Sequence, residues 1–263
     1  MAIYTDQTGK SISLSTIPTR IISLVPSQTE LLYDLGLDKQ VIAITKFCVH
    51  PKEWHRDKTN IGGTKSVIIK KIKALHPDLI IANKEENIKE QVDELSTHYP
   101  AWISDISNLQ EALRMIHSIG LITDTLEKAE AMIETIEMRF ARVPKINGAI
   151  RTAYLIWQNP YMTAGSDTFI HDMLARCGFE NIFNDQTRYP TVTIEEIKNR
   201  RCELLLLSSE PFPFKQKHAE ALQTQLPSTK IILVDGEMFS WYGSRMLHAP
   251  EYFNALQKKY IFD

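Results

Sequence analysis

Few residues in this chain stand in a pattern that could do chemistry. Cys48 and His50 form a Cys-x-His pair, and on an extended segment side chains two apart share a face, as metal ligation requires. Two ligands do not close a structural metal site. The pair therefore reads either as a candidate axial ligand set, with Cys48 or His50 reaching a metal carried by a ligand, or as a packed thiol beside a hydrogen-bonded imidazole. The chain has no G-x-x-x-x-G-K-[ST], G-x-G-x-x-G, H-E-x-x-H or G-x-S-x-G, and its ten glycines are scattered. Phosphate-loop, dinucleotide, zinc-peptidase and serine-hydrolase chemistries lose support, which leaves binding as the leading function.

Binding candidates gather where strands are expected to end. Arg20-Ile-Ile-Ser-Leu24 runs into Val25-Pro-Ser-Gln-Thr-Glu30, where Ser27 and Glu30 have capping-box spacing. A helix beginning at the carboxyl end of a strand offers free N–H groups to anionic or carbonyl oxygens, so Ser27 and Gln28 are candidate ligand contacts. A cap with no further role is the alternative. Aromatic residues fall at comparable places: Phe47, Trp157, Tyr161, Tyr189, Trp241 and Tyr242. Their flat, amphipathic rings suit a large, rigid, partly apolar ligand. Arg188 and Arg245 sit beside these rings and could pair bidentately with ligand carboxylates, or could serve as salt bridges between lobes.

The elements that must position these residues alternate in kind. Strands are expected at Val41–Thr45, Asp78–Ala82, Ala101–Ser104, Thr152–Trp157, Glu203–Ser208 and Ile231–Val234. Helices are expected at Ser27–Leu35, up to Leu75, about Asn87–His98, Asp167–Arg176 and about Met246–Lys259. Strands apolar on both faces imply parallel, covered sheets, hence an α/β fold of two Rossmann-like lobes. Between them Leu126, Ala129, Ile133, Ile136 and Phe140 keep helical spacing without Gly or Pro, which predicts one long helix over Thr125–Arg142. The expected division is 1–122 for the first lobe, 123–145 for the connecting backbone helix and 146–263 for the second lobe. Ile72 and Leu79 in one half and Ile197 and Leu204 in the other share one offset, a short internal match.

Composition sets the remaining bounds. The 263 residues carry a formal charge of −2, which gives no basic field for nucleic acid. No stretch approaches a membrane span, and Met1–Arg20 has no signal-peptide core. Cys48, Cys177 and Cys202, odd in number and far apart, read as reduced thiols. A cytoplasmic monomer is the expectation, or a periplasmic one if the native precursor has an export segment.

Five segments carry a resemblance: Arg20–Glu30, Lys73–Ala82, Thr163–Gly165 before a helix, Cys177–Ile182, and Ser240-Trp-Tyr-Gly-Ser-Arg245. With the long central helix, the chain resembles the helical-backbone (class III) substrate-binding proteins of ABC importers for vitamin B12, haem and iron siderophores, and most the B12-binding type. The resemblance implies two α/β lobes holding a ligand between them, no catalysis and no intrinsic cofactor. It also implies a metal chelate such as a corrinoid, haem or ferric siderophore as ligand, and an ABC permease as partner. By position, Phe47, Trp157 and Tyr189 match cleft aromatics of the B12-binding type, while Lys65 stands where that type has an aromatic and leaves room for a more acidic ligand. Glu195 matches the permease-docking acid of the second lobe, and Lys70 stands at its first-lobe counterpart, a pairing that the internal offset also makes. The alternatives are a cytoplasmic corrinoid or metal-chelate carrier without a permease, and a tetrapyrrole metal chelatase. The latter would use His171 or His248 with a cleft Glu.

Overall fold

Leu79-Ile-Ile-Ala-Asn83 is buried along its whole length, and so is Leu204-Leu-Leu-Leu-Ser208. Strands with no exposed face belong in the middle of parallel sheets covered on both sides. The structure, a computed structural model, describes residues 1–146, 148 and 150–260. It confirms an α/β architecture with two separate, mainly parallel five-stranded sheets. The expected division into 1–122, 123–145 and 146–263 includes positions 147, 149 and 261–263, which lie outside the described residues.

The chain separates into two compact units. The first comprises Met1–Ile106, Gln110–Thr135 and Tyr242–Arg245; the second comprises Ser107–Leu109, Ile136–Trp241 and Met246–Asp263. In the first unit the sheet order is Thr59–Asn60, Val41–Ile44, Ile21–Ser23, Leu79–Asn83, Ala101–Ser104, all parallel. In the second it is Met162–Thr163, Ile150–Trp157, Leu204–Ser208, Lys230–Val234. There Met162–Thr163 runs antiparallel, and Phe179–Asn181 pairs in parallel with Ile150–Trp157. The predicted long helix is observed as Leu126–Ala141, and the boundary between units falls inside it.

Several elements go beyond the sequence expectations, among them a hairpin and two helices. Ala2–Thr5 and Ser11–Leu14 form an antiparallel hairpin that buries Ile12 and Leu14. Leu109–Ile122 is a fourteen-residue amphipathic helix, and Gln216–Gln223 is a shorter one.

The short internal match proves to be structural. Helix Ile69–Ala74 leads to strand Leu79–Asn83, and helix Ile194–Asn199 leads to strand Leu204–Ser208 after the same interval. Ile72 and Ile197 are wholly buried. His76 and Arg201, at equivalent places, both have positive φ, 45° and 52°. Arg20 donates to the carbonyl of Leu75 (2.6 Å) and Arg151 to that of Arg200 (2.8 Å), which satisfies the last carbonyls of each helix. Asp78 and Glu203 in turn accept from the backbone N–H of Arg20 and Arg151, both at 2.8 Å.

Candidate functional site

Helix Pro26–Asp34 rises from the carboxyl end of strand Ile21–Ser23, as expected, but its start is not a capping box. Pro26 occupies the first helical position and Val25 is the N-cap, with no side-chain cap. Proline is suited to that place because its ring presets φ and it lacks an N–H to leave orphaned. Ser27 is thereby drawn inside the helix. Its hydroxyl is buried without a partner, and Gln28, fully buried, donates through Nε2 to the hydroxyl of Ser104. Thr29 links this helix to the loop after strand Val41–Ile44, donating to Cys48 Sγ at 3.0 Å while also meeting Ser23 Oγ at 2.7 Å.

Glu30, assigned by spacing to the cap, pairs instead with Arg245. The guanidinium donates from Nε at 3.0 Å and from a terminal nitrogen at 2.6 Å, a bidentate arrangement with both side chains largely buried. Burial pushes the Glu30 carboxyl above its ordinary range, and the Arg245 charge opposes that. Both residues belong to the first unit, and the Arg245 guanidinium is engaged by a protein carboxylate.

Phe47 follows strand Val41–Ile44 with half its surface exposed (51%), and Lys46 Nζ lies 5.0 Å from its ring centre. Gly63 makes room for this ring, since a Cβ there would meet Phe47 at 3.1 Å. Lys65 is exposed and donates to the Glu85 carbonyl. Cys48, between Phe47 and His50, is fully buried, with Thr29 and Thr45 hydroxyls on its sulfur and a thiol held above its ordinary range by burial. A thiol in that position is packed rather than presented. Among the described residues, no three His, Cys, Asp or Glu side chains gather to hold a metal. His171 lies in helix Phe169–Arg176 beside Asn181, and His248 is exposed.

In the second unit Trp157 ends strand Ile150–Trp157 with 39% of its surface open, and Phe212 backs it edge-on at 5.8 Å. Tyr161 packs against the core of this unit and accepts from Gln158. Tyr189 is half-buried, with the Arg188 guanidinium 6.0 Å above its ring. Arg188 has positive φ (59°), and its N–H donates to Asp167 at 2.5 Å. Trp241 and Tyr242, expected to enclose a ligand, are buried. The Trp241 indole N–H donates to Glu210 at 2.8 Å, and Ser240 donates to the same oxygen at 2.5 Å. Burial raises the pKa of Glu210. Phe47, Lys65, Trp157 and Arg188 are thus exposed, Tyr189 is half-buried, and Ser27, Gln28, Trp241 and Tyr242 are buried.

In each unit an open aromatic ring thus stands at or just past the carboxyl end of a strand, Phe47 in the first and Trp157 in the second. A sequence profile of the periplasmic binding protein family matches residues 21–228. The chain belongs to that family. The vitamin B12-binding protein of Pectobacterium carotovorum subsp. carotovorum (strain PC1) is 25% identical over 242 residues, covering 89% of this chain and 87% of the relative. The crystal structure of the periplasmic vitamin B12 binding protein of Vibrio cholerae superposes with a TM-score of 0.74 at 21% identity, over 92% and 98% of the two chains. The periplasmic heme-binding protein RhuT from Roseiflexus sp. RS-1 gives 0.77 at 18% identity, over 92% and 97%. At these identities the two structures establish the fold. The family is one of binding proteins serving ABC transport, and its members are not enzymes. No helix among the described residues is long and apolar enough to cross a membrane.

Glu30 and Glu210 are the residues that sequence reasoning missed as structural partners. Glu30 lies inside the motif Arg20–Glu30, whereas Glu210 stands 30 positions before Ser240 and in no motif that the sequence marks.

Proposed function

We propose that this chain is the substrate-binding component for a metal-containing macrocycle or chelate, with a corrinoid first, haem next and a ferric siderophore third. The observation that carries the reading is the open ring at a strand end in each unit: Phe47 after Val41–Ile44 and Trp157 at the end of Ile150–Trp157. Rings held this way cover a rigid apolar face at low entropic cost. Lys65, Arg188 and Tyr189 would meet polar groups on the ligand rim. Relatives named for vitamin B12 and for haem support the ligand class. In this reading residues 1–122 and 146–263 act as the ligand-bearing lobes, with 123–145 as their connection.

The partner would be an ABC permease, met through Glu195, exposed near the start of helix Ile194–Asn199. Lys70 holds the equivalent exposed place on helix Ile69–Ala74. A lysine there would repel a permease arginine, so the two lobes would require different charges of their partner.

The test is a fluorescence titration of the purified protein with cyanocobalamin, dicyanocobinamide, haemin and a ferric hydroxamate. At least one of the four is expected to quench tryptophan emission saturably at micromolar concentration. Phe47→Ala should weaken that binding by about tenfold, the equivalent of about 1.4 kcal/mol. No response to any of the four would overturn the ligand assignment.

A further inference from the structure

The motif Ser240-Trp-Tyr-Gly-Ser-Arg245 has no open group in the ligand surface described above, yet it is held at both ends by carboxylates. Ser240 and Trp241 belong to the second unit, and Tyr242–Arg245 to the first. At one end Ser240 and Trp241 donate to the Glu210 carboxylate. At the other, Arg245 grips Glu30 with two nitrogens. Between them Gly243, at φ +124°, lies so close to helix Pro26–Asp34 that a Cβ would stand 3.1 Å from the Ser27 carbonyl. A backbone approach of that kind, in the left-handed region, is available to glycine.

Each anchor leads by one short chain of contacts to an aromatic ring of the proposed ligand surface. Glu30 neighbours Thr29 on the same helix, and the Thr29 hydroxyl meets Cys48 Sγ, the residue after Phe47. Cys48 is further held by Thr45, through its hydroxyl at 3.2 Å and through the N–H of Cys48 donating to the Thr45 carbonyl at 3.1 Å. Glu210 is fixed by Ser208, whose hydroxyl donates to its carbonyl at 2.6 Å. Two residues on, Phe212 donates its N–H to Ile156 at 3.2 Å and backs the Trp157 ring.

We propose that the motif supplies a positioning clasp within each unit: in the first, Arg245 sets Phe47 through Glu30 and Thr29–Cys48; in the second, Trp241 sets Trp157 through Glu210 and Phe212. Arg245 and Trp241 are then positioning residues, and they tune ligand affinity without touching ligand. The functional half of this inference rests on the assignment of Phe47 and Trp157 as ligand rings; the clasp itself does not.

The experiment compares wild-type protein with Arg245→Met, Arg245→Lys and the reciprocal exchange Glu30→Arg/Arg245→Glu, each checked for folding by circular dichroism. Hydrogen exchange is first followed in ligand-free protein. Arg245→Met should speed amide exchange over 47–49 by about tenfold, and the reciprocal exchange should restore protection. Unchanged exchange at 47–49 in Arg245→Met overturns the clasp. Binding of cyanocobalamin and haemin is then measured by tryptophan quenching. Arg245→Met should weaken whichever probe binds by about tenfold, and the reciprocal exchange should recover wild-type affinity within about threefold. If Arg245 met an anionic arm of the ligand instead, a glutamate at 245 would weaken binding further, and that result overturns the positioning role. Should the exchange variant fail to fold, Arg245→Lys decides: it keeps the charge but loses the fork, so affinity and protection should fall together, and loss of affinity with full protection sinks the proposal. If the exchange response is seen but wild-type protein binds neither probe, the clasp stands and the corrinoid and haem assignments fail.

Discussion

Helix Ile69–Ala74 in one unit and helix Ile194–Asn199 in the other are built alike on the inside and differently on the outside. Inside, each buries one isoleucine, ends in an arginine-bridged carbonyl and turns through a positive-φ residue into a central strand. Outside, the first helix opens with Lys70 and Lys71, the second with Glu195 and Glu196. Thr193 caps the second in a full capping box; Ile68 precedes the first with no side-chain cap. Acidic residues suit the positive end of a helix dipole and lysines oppose it, so the second helix is favoured locally while the first depends on what it packs against. The two helices share their inner face and carry opposite charges at the start of the outer one.

The strongest test of the shared interior is removal of the buried isoleucine. Ile72→Ala and Ile197→Ala should each cost about 2–5 kcal/mol, since a buried isoleucine loses both transfer energy and packing when cut to alanine. Denaturant unfolding measures this. A loss below about 1 kcal/mol at either position would break the equivalence. If local preference matters as argued, Ile72→Ala should also loosen its helix more in amide exchange.

This interior was legible in sequence because it is local. Apolar runs such as Leu79–Ala82 and Leu204–Leu207 have no polar side to expose, and Ile72 and Ile197 keep their offset from those runs. The exposure of Phe47 and Trp157 has a related origin, since residues at or just past a strand's carboxyl end have few neighbours to cover them. Arg245 was not legible: its partner Glu30 lies 215 positions away, and no spacing rule spans that distance. Ser27 misled because a capping box is read from two residues three apart, and Pro26 at the first helical position puts the N-cap two residues earlier, at Val25. The hairpin Ala2–Thr5 with Ser11–Leu14 escaped because its alternation is short and polar.

The next effect is smaller and one-sided. Thr193→Ala removes the N-cap hydroxyl that accepts from the Glu196 N–H at 3.1 Å and should cost about 1 kcal/mol, within the usual range for a lost cap. Ile68→Ser, which offers the first helix a cap it lacks, should not repeat that loss. Thermal unfolding of both variants distinguishes them. Equal destabilisation would mean that the cap chemistry does not separate the two helices.

The smallest effect is a difference in pH response. In the capping box Glu196 accepts from the Thr193 N–H at 2.6 Å and from its hydroxyl at 2.9 Å, and these bonds hold the Glu196 carboxyl below its ordinary 4.5. A carboxyl with a depressed folded pKa supports the fold above its unfolded value, and that support is lost as pH falls through the folded value. Glu196 is almost fully exposed to solvent, so the gain is screened, and local spectra suit it better than global stability. The Thr193 amide proton should shift in NMR spectra with a midpoint below pH 4.5, and Thr193→Ala should move the Glu196 titration back toward 4.5. The Ile69 amide, at the start of a helix opened by lysines and without a box, should show no matching titration. A Thr193 midpoint at or above 4.5 would remove the electrostatic part of the contrast and leave only the charges of the outer faces to distinguish the two helices.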